Sequence, residues 1–240
     1  MQQMTLNDIK IFIETVLAQI KNFFDEFVST SSKRCYLIAN WLKYYFAYLR
    51  SEQDFLDKNH YKTFKYGQVI RVSFGFNIGH ELGGIHYAIV INNDDSPYSS
   101  DLIVIPLSSK HKEIYANNKE SRIDIGFELK NIIKNKIDSV EEKMFNLMKN
   151  IDRENIKEEE TNKLKKFMEL YDKLNTEYEN MSDGSIVLTK QIRFITKMRI
   201  MAPTTKTDYF NNVVLSTETM LKITDKLKSI LNIWVDKICK

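Results

Sequence analysis

Cysteine is nearly absent. The chain has two in 240 residues, Cys35 and Cys239, far apart and at no metal-ligand spacing. Inert thiols in a reducing, cytoplasmic compartment are the plain expectation. No charged-then-apolar leader with a cleavage site opens the sequence, and no uncharged run approaches the roughly 18 to 20 residues that a bilayer-spanning helix needs. A net charge of +3 is too small to imply a polyanionic partner by itself, so any basic surface must be local. No Walker loop, dinucleotide fingerprint or G-x-S-x-G elbow occurs, and no cofactor is expected. Glycine is sparse too, at seven residues, yet four of them crowd between Gly75 and Gly84.

That crowding marks the stretch around which the chain is organised. From Gly75 to Asn92 it reads G-F-N-I-G-H-E-L-G-G-I-H-Y-A-I-V-I-N, setting His80, Glu81 and His86 against an apolar run from Tyr87 to Ile91. Glycines admit backbone angles closed to other residues. The segment Gly79 to Gly84 is therefore expected to fold tightly and push His80, Glu81 and His86 toward one point, fixed to a buried strand.

The rest of the chain is globular in composition, 43% hydrophobic and 28% charged, and long enough for one elaborated domain or two small ones. Leu6, Ile9, Ile13, Val16, Ile20, Phe23 and Phe27 step by three and four. They predict a helix with a broad apolar face. Serines and a threonine at 29–32 break it and offer an N-cap to a second helix carrying Leu37, Ile38, Trp41, Leu42, Tyr45, Tyr48 and Leu49, so an antiparallel helical pair with a core-facing stripe is expected over residues 1–60. Short β-rich runs follow at Phe64 to Phe74, Tyr87 to Ile91, Leu102 to Leu107 and Arg122 to Phe127, with turn signals between them, and point to a small barrel.

Residues 127–181 change period. Ile133, Ile137, Val140, Met144, Leu147 and Ile151, then Leu164, Phe167, Tyr171, Leu174, Tyr178 and Met181, predict an inserted antiparallel helical hairpin, its arms about 30 Å long. Its tip, Asp152 to Glu160, is acidic, which argues against nucleic acid contact there. Strand character returns at Ile186 to Leu188, followed by Lys190, Gln191, Arg193, Phe194, Lys197 and Arg199. Bases interleaved with an aromatic suit a single-stranded RNA track, while a solvated charged edge fits the same residues. A helix with Met220, Ile223, Leu227, Ile230, Leu231, Trp234 and Ile238 on its core side, capped near Ser216 or Thr217, closes the chain.

Three blocks in order carry a family resemblance: F-K-Y-G-Q-V-I-R-V-S-F-G leading into the glycine loop, L-I-V-I-P-L-S-S-K from Leu102 to Lys110, and G-S-I-V-L-T-K-Q-I-R-F-I-T-K-M-R-I from Gly184 to Ile200. Together they resemble the MazF/PemK family of bacterial toxin endoribonucleases. The resemblance implies an α+β fold with a small SH3-like β-barrel formed by residues 61–126 and 182–240, with the hairpin at 127–181 inserted and residues 1–60 as an N-terminal extension. It implies a metal-independent endoribonuclease that cuts single-stranded RNA and leaves a 2′,3′-cyclic phosphate and a 5′-hydroxyl. A homodimer, and a small antitoxin whose segment fills the RNA groove, are the partners it implies.

Such cleavage needs a base for the ribose 2′-hydroxyl, an acid for the departing 5′-oxygen and positive charge at the phosphorane. The catalytic set expected here is His86 as main proton-transfer group, His80 assisting, Ser108 hydrogen-bonding a phosphoryl oxygen and Glu81 orienting the loop or a histidine. Lys190, Gln191, Arg193, Phe194 and Lys197 are expected to hold RNA. Most members of the family place an arginine where His86 stands, and several have an acidic residue where Lys190 stands. His86 keeps proton transfer but gives up a permanent charge and its fork of donors, which Arg193 restores if it faces the cleft. The rival on the same scaffold is a binding protein that blocks a macromolecule, in the manner of the gyrase poisons, without cutting. An H-E-x-x-H zinc helix is a poor fit, because His86 lies six residues beyond His80 and past two glycines.

Overall fold

The computed structural model describes residues 4–109, 121–151, 157–182, 184–205 and 207–238, without side chains from 231 onward. Lys110, His111, Asp183, Cys239, most of the acidic hairpin tip, and the side chains of Leu231, Trp234 and Ile238 therefore lie outside the described residues. Two compact units are present, Met1–Asp54 and Phe55–Lys240.

In the first unit α1 spans Leu6–Phe27 and α2 begins at Ser32, running to Leu56. A capping box starts α1: the Thr5 hydroxyl accepts from the Asp8 N–H while the Asp8 carboxylate accepts from the Thr5 N–H. The expected core-facing stripe does not face a core. No α1 residue is buried, Ile9, Phe12, Ile13 and Leu17 are between 42% and 60% exposed, and among the described hydrophobic residues of this unit only Cys35 is buried. Val16, Ile20, Phe23 and Phe24 of α1 share an open apolar groove with Ile38 and Leu42 of α2. Periodicity correctly announced amphipathic helices, but what covers the apolar side is a separate matter.

The second unit is an α+β fold built on seven strands: β1 Val69–Ser73, β2 Ile85–Val90, β3 Asp101–Ser109, β4 Arg122–Gly126, β5 Ser185–Leu188, β6 Arg193–Thr196 and β7 Ile200–Ala202. All pair antiparallel in the order β4-β5-β3-β2-β1-β7, with β6 also on β3. The sheet is open among the described residues, since no pairing joins β4 to β7, and the expectation of a closed small barrel is corrected to that extent. It curls nonetheless. Ile70, Val72, Ala88, Val90, Leu102, Val104, Ile195 and Ile200 come from five strands and bury one another in a single cluster.

The alternate residues Val69, Ile89, Ile105 and Leu107 of β1, β2 and β3, joined by Val187 of β5, face a second and larger core. Helices supply its other side. α3, Glu128–Asn150, contributes Leu129, Ile133, Ile137 and Val140; α4, Glu158–Asn180, contributes Leu174; α5, Thr217–Ile238, contributes Met220 and Ile223. α3 and α4 pack on each other as a helical hairpin along the predicted seams. The Glu128 carboxylate accepts from the Ser216 N–H and the Thr219 hydroxyl, which ties the start of α3 to the start of α5.

Candidate active-site cleft

β2 and β3 run together from Val90↔Val104 to Ala88↔Pro106, and there the ladder stops. Pro106 has no N–H to extend it. Beyond that point β3 turns to β5, pairing Leu107↔Val187, Ser108↔Ile186 and Ser109↔Ser185. Ile85, His86 and Tyr87 are left on one lip of a gap, with Leu107, Ser108 and Ser109 on the other. The gap opens into a cleft of about 620 Å³ that these residues share with Arg71, Thr176, Glu177, Asn180, Met181, Ser182 and Ser185. Continued in the same register, the ladder would set His86 opposite Ser108. The ladder does not continue, and His86 and Ser108 instead line one cleft from opposite lips.

Burial holds the pKa of His86 below its usual 6.5, and the charge of Arg193 pushes the same way, while contacts of the ring with the backbone at Gly83 and Leu107 oppose the shift. At neutral pH this imidazole is uncharged and able to take a proton. Its contact at Leu107 places the ring across the gap.

The glycine loop is folded as its sequence implies, but it aims elsewhere. Phe74 N–H donates to Gly84 O at 2.8 Å and Gly84 N–H to Gly75 O at 2.6 Å, closing the loop at its base. A Cβ on Gly83 would lie 2.9 Å from Gly75 O, so the backbone approach there requires glycine. Gly84, at φ +84°, needs the left-handed region as well. Asn77 Nδ2 donates to Leu82 O, and Leu82 N–H donates to Gln191 Oε1. Gln191 Nε2 in turn reaches His80 O at 3.1 Å. His80 and Glu81 are exposed and do not line the cleft. The expectation that two imidazoles meet at one phosphate is corrected: His80 anchors the loop through its carbonyl.

The residues expected to hold RNA divide. Gln191 is the clamp on the loop. Arg193 donates to Gln191 Oε1 and lies over the Phe74 ring at 5.2 Å, with its charge felt at His86 and the Glu81 carboxylate acting on it in turn. Arg193 and Phe194 alternate along β6. Phe194, 72% exposed and paired with Ile103, therefore stands on the opposite side of the strand from Arg193. Lys190 is exposed. Lys197 is not available to a phosphate, because its ammonium is buried against Asp95 at 2.8 Å, with 4% of its side chain exposed. Lys197 follows buried Ile195 by two residues, on the inward side of the strand's alternation, and opens the 3-10 turn Lys197–Arg199.

Three cleft residues that the sequence did not single out, Arg71, Tyr87 and Glu177, are joined to one another, and Tyr209 joins them from outside the lining. Glu177 of α4, 7% exposed, accepts hydrogen bonds from the Tyr87 and Tyr209 hydroxyls and pairs with Arg71 at 3.5 Å. Burial and the Glu177 carboxylate push the Tyr209 hydroxyl up to about 12, and burial raises Tyr87 further. Glu177 follows Leu174 by three residues and precedes Met181 by four, a seam position that marked it as inward-facing. Glu177→Ala, which orphans these donors, is expected to cost about 2–3 kcal/mol in urea unfolding. A loss below about 0.5 kcal/mol would show that the cluster is not a fastening. Among the described residues no three His, Cys, Asp or Glu side chains cluster as metal ligands. No described helix is long and apolar enough to cross a membrane.

Residues 65–168 match the family model of the PemK-like, MazF-like toxins of type II toxin-antitoxin systems. That stretch is a domain of this family. The match ends inside α4, so β5, β6 and β7 join the domain through their pairing with β3, β4 and β1. No curated protein matches the chain.

Proposed function

We propose that this chain, which carries a PemK-like, MazF-like toxin domain, is the toxin of a type II pair and a metal-independent endoribonuclease acting on single-stranded RNA. The observation that carries the reading is the partly desolvated His86 imidazole in the same cleft as Ser108, at the gap between β2 and β3. Uncharged His86 takes the 2′-hydroxyl proton, the 2′-oxygen attacks phosphorus, and the bond to the 5′-oxygen breaks. The proton passes to that oxygen, leaving a 2′,3′-cyclic phosphate and a 5′-hydroxyl. Ser108 donates to a phosphoryl oxygen, and Arg193, which is not among the residues lining the cleft, acts on the added charge at longer range, as it does on His86. Gln191 positions the loop, and exposed Lys190 and Phe194 hold flanking nucleotides.

The curled sheet supports an SH3-like reading in which residues 61–126 and 182–240 are one cytoplasmic domain, residues 127–181 an insertion and residues 1–60 an added helical pair. A homodimer, and an antitoxin whose segment occupies the cleft, complete the assembly. The test is to incubate purified protein with mixed single-stranded RNAs in EDTA and analyse the ends. Fragments with 2′,3′-cyclic phosphate and 5′-hydroxyl termini are the expected result. RNA left intact favours the non-cutting rival, a binding protein that blocks a macromolecule. A requirement for added divalent metal overturns the proposed chemistry.

A further inference from the structure

The chemistry above uses β2 and β3 and leaves the facing wall of the cleft unassigned. That wall is the end of α4: Thr176, Asn180, Met181 and Ser182 line it, all uncharged. Of the two acids in the same turn, Glu177 is engaged with Tyr87, Tyr209 and Arg71, and exposed Glu179 does not line the cleft. α4 ends at Asn180, and a helix C-terminus carries partial negative charge on its last carbonyls. Such a wall repels phosphate and attracts hydrogen-bond donors. Asn180 is also oriented. Its Nδ2 donates to Thr176 O at 2.7 Å, which fixes Oδ1, the other branch of the amide, as an acceptor.

We infer that the last turn of α4 reads a base, Asn180 Oδ1 accepting a hydrogen bond from the exocyclic amino group of a nucleotide flanking the scissile phosphate. Adenine, cytosine and guanine carry such a group. Uracil does not, and its single imino donor lies between two carbonyl oxygens that the negative helix end disfavours. The hairpin thereby becomes a specificity element. This inference rests on the endoribonuclease reading.

The experiment compares wild type and Asn180→Ala on a randomised single-stranded RNA pool, sequencing the new ends and recording melting curves beside them. Asn180 is exposed, so its truncation removes an acceptor without opening a core. Relative to the pool, wild-type cuts should favour amino-bearing bases over uracil about tenfold at one flanking position, the worth of one hydrogen bond, and in Asn180→Ala that enrichment over uracil should be lost there and at no other position. An enrichment that survives the substitution, or a wild-type preference for uracil, overturns the base-reading wall and leaves the nuclease reading standing. A pool left intact by wild type overturns both.

Discussion

Replacing His86 by alanine is expected to slow RNA cleavage about 10²- to 10⁴-fold, the usual worth of a positioned acid-base group, with unfolding free energy changed by no more than about 1 kcal/mol. The ring is half-buried on the lip of the cleft and belongs to neither hydrophobic cluster, so its loss opens no core. Its protonation state sets the pH profile. A base must be uncharged to act, and burial lowers this imidazole's pKa below 6.5. Activity should therefore be full at neutral pH and fall only as pH drops through a midpoint below 6.5, seen as the acid limb of kcat/KM. An acid limb at or above 6.5, or a variant that cuts at the wild-type rate, would remove His86 from the chemistry.

The sequence made some of these parts legible and hid others, for reasons of distance along the chain. Four crowded glycines announced the loop, because close backbone approach at Gly83 and a positive φ at Gly84 can be met by little else. The direction of the loop was not legible. It is set by Gln191, whose partner Leu82 is 109 residues away. The cleft was half visible: His86 and Ser108 lie in blocks that carry the family resemblance, whereas Glu177 and Asn180 lie in none of them, and seam spacing told only that Glu177 faces inward. The strands were found because alternation is local, but the opening of the sheet depends on which strand ends meet, and no local pattern encodes that. On α1 the apolar stripe was read correctly as a helix and wrongly as core.

Lys197 shows the same limit most sharply, and removing its partner should have the largest effect on stability. Asp95→Ala is expected to cost about 3–5 kcal/mol, because it leaves a buried ammonium without its counter-charge. Both side chains are sequestered, at 4% and 0% exposure, so solvent screens the pair little. Asp95 does more than pair: its Oδ2 accepts from the Phe64 N–H at 2.8 Å, holding the entry to β1, while Lys197 also donates to Ser96 O. Charge and backbone support can be separated. Asp95→Asn combined with Lys197→Met keeps an acceptor for Phe64 and removes both charges, so it should recover most of the loss, as apolar or neutral replacements of buried pairs commonly do. Urea unfolding of wild type, Asp95→Ala and the double variant reads these values directly. Lys197→Met offers the opposing test. If it is as stable as wild type and binds RNA more weakly, Lys197 is a phosphate contact after all; the buried geometry predicts the reverse, lost stability with cleavage per folded molecule unchanged.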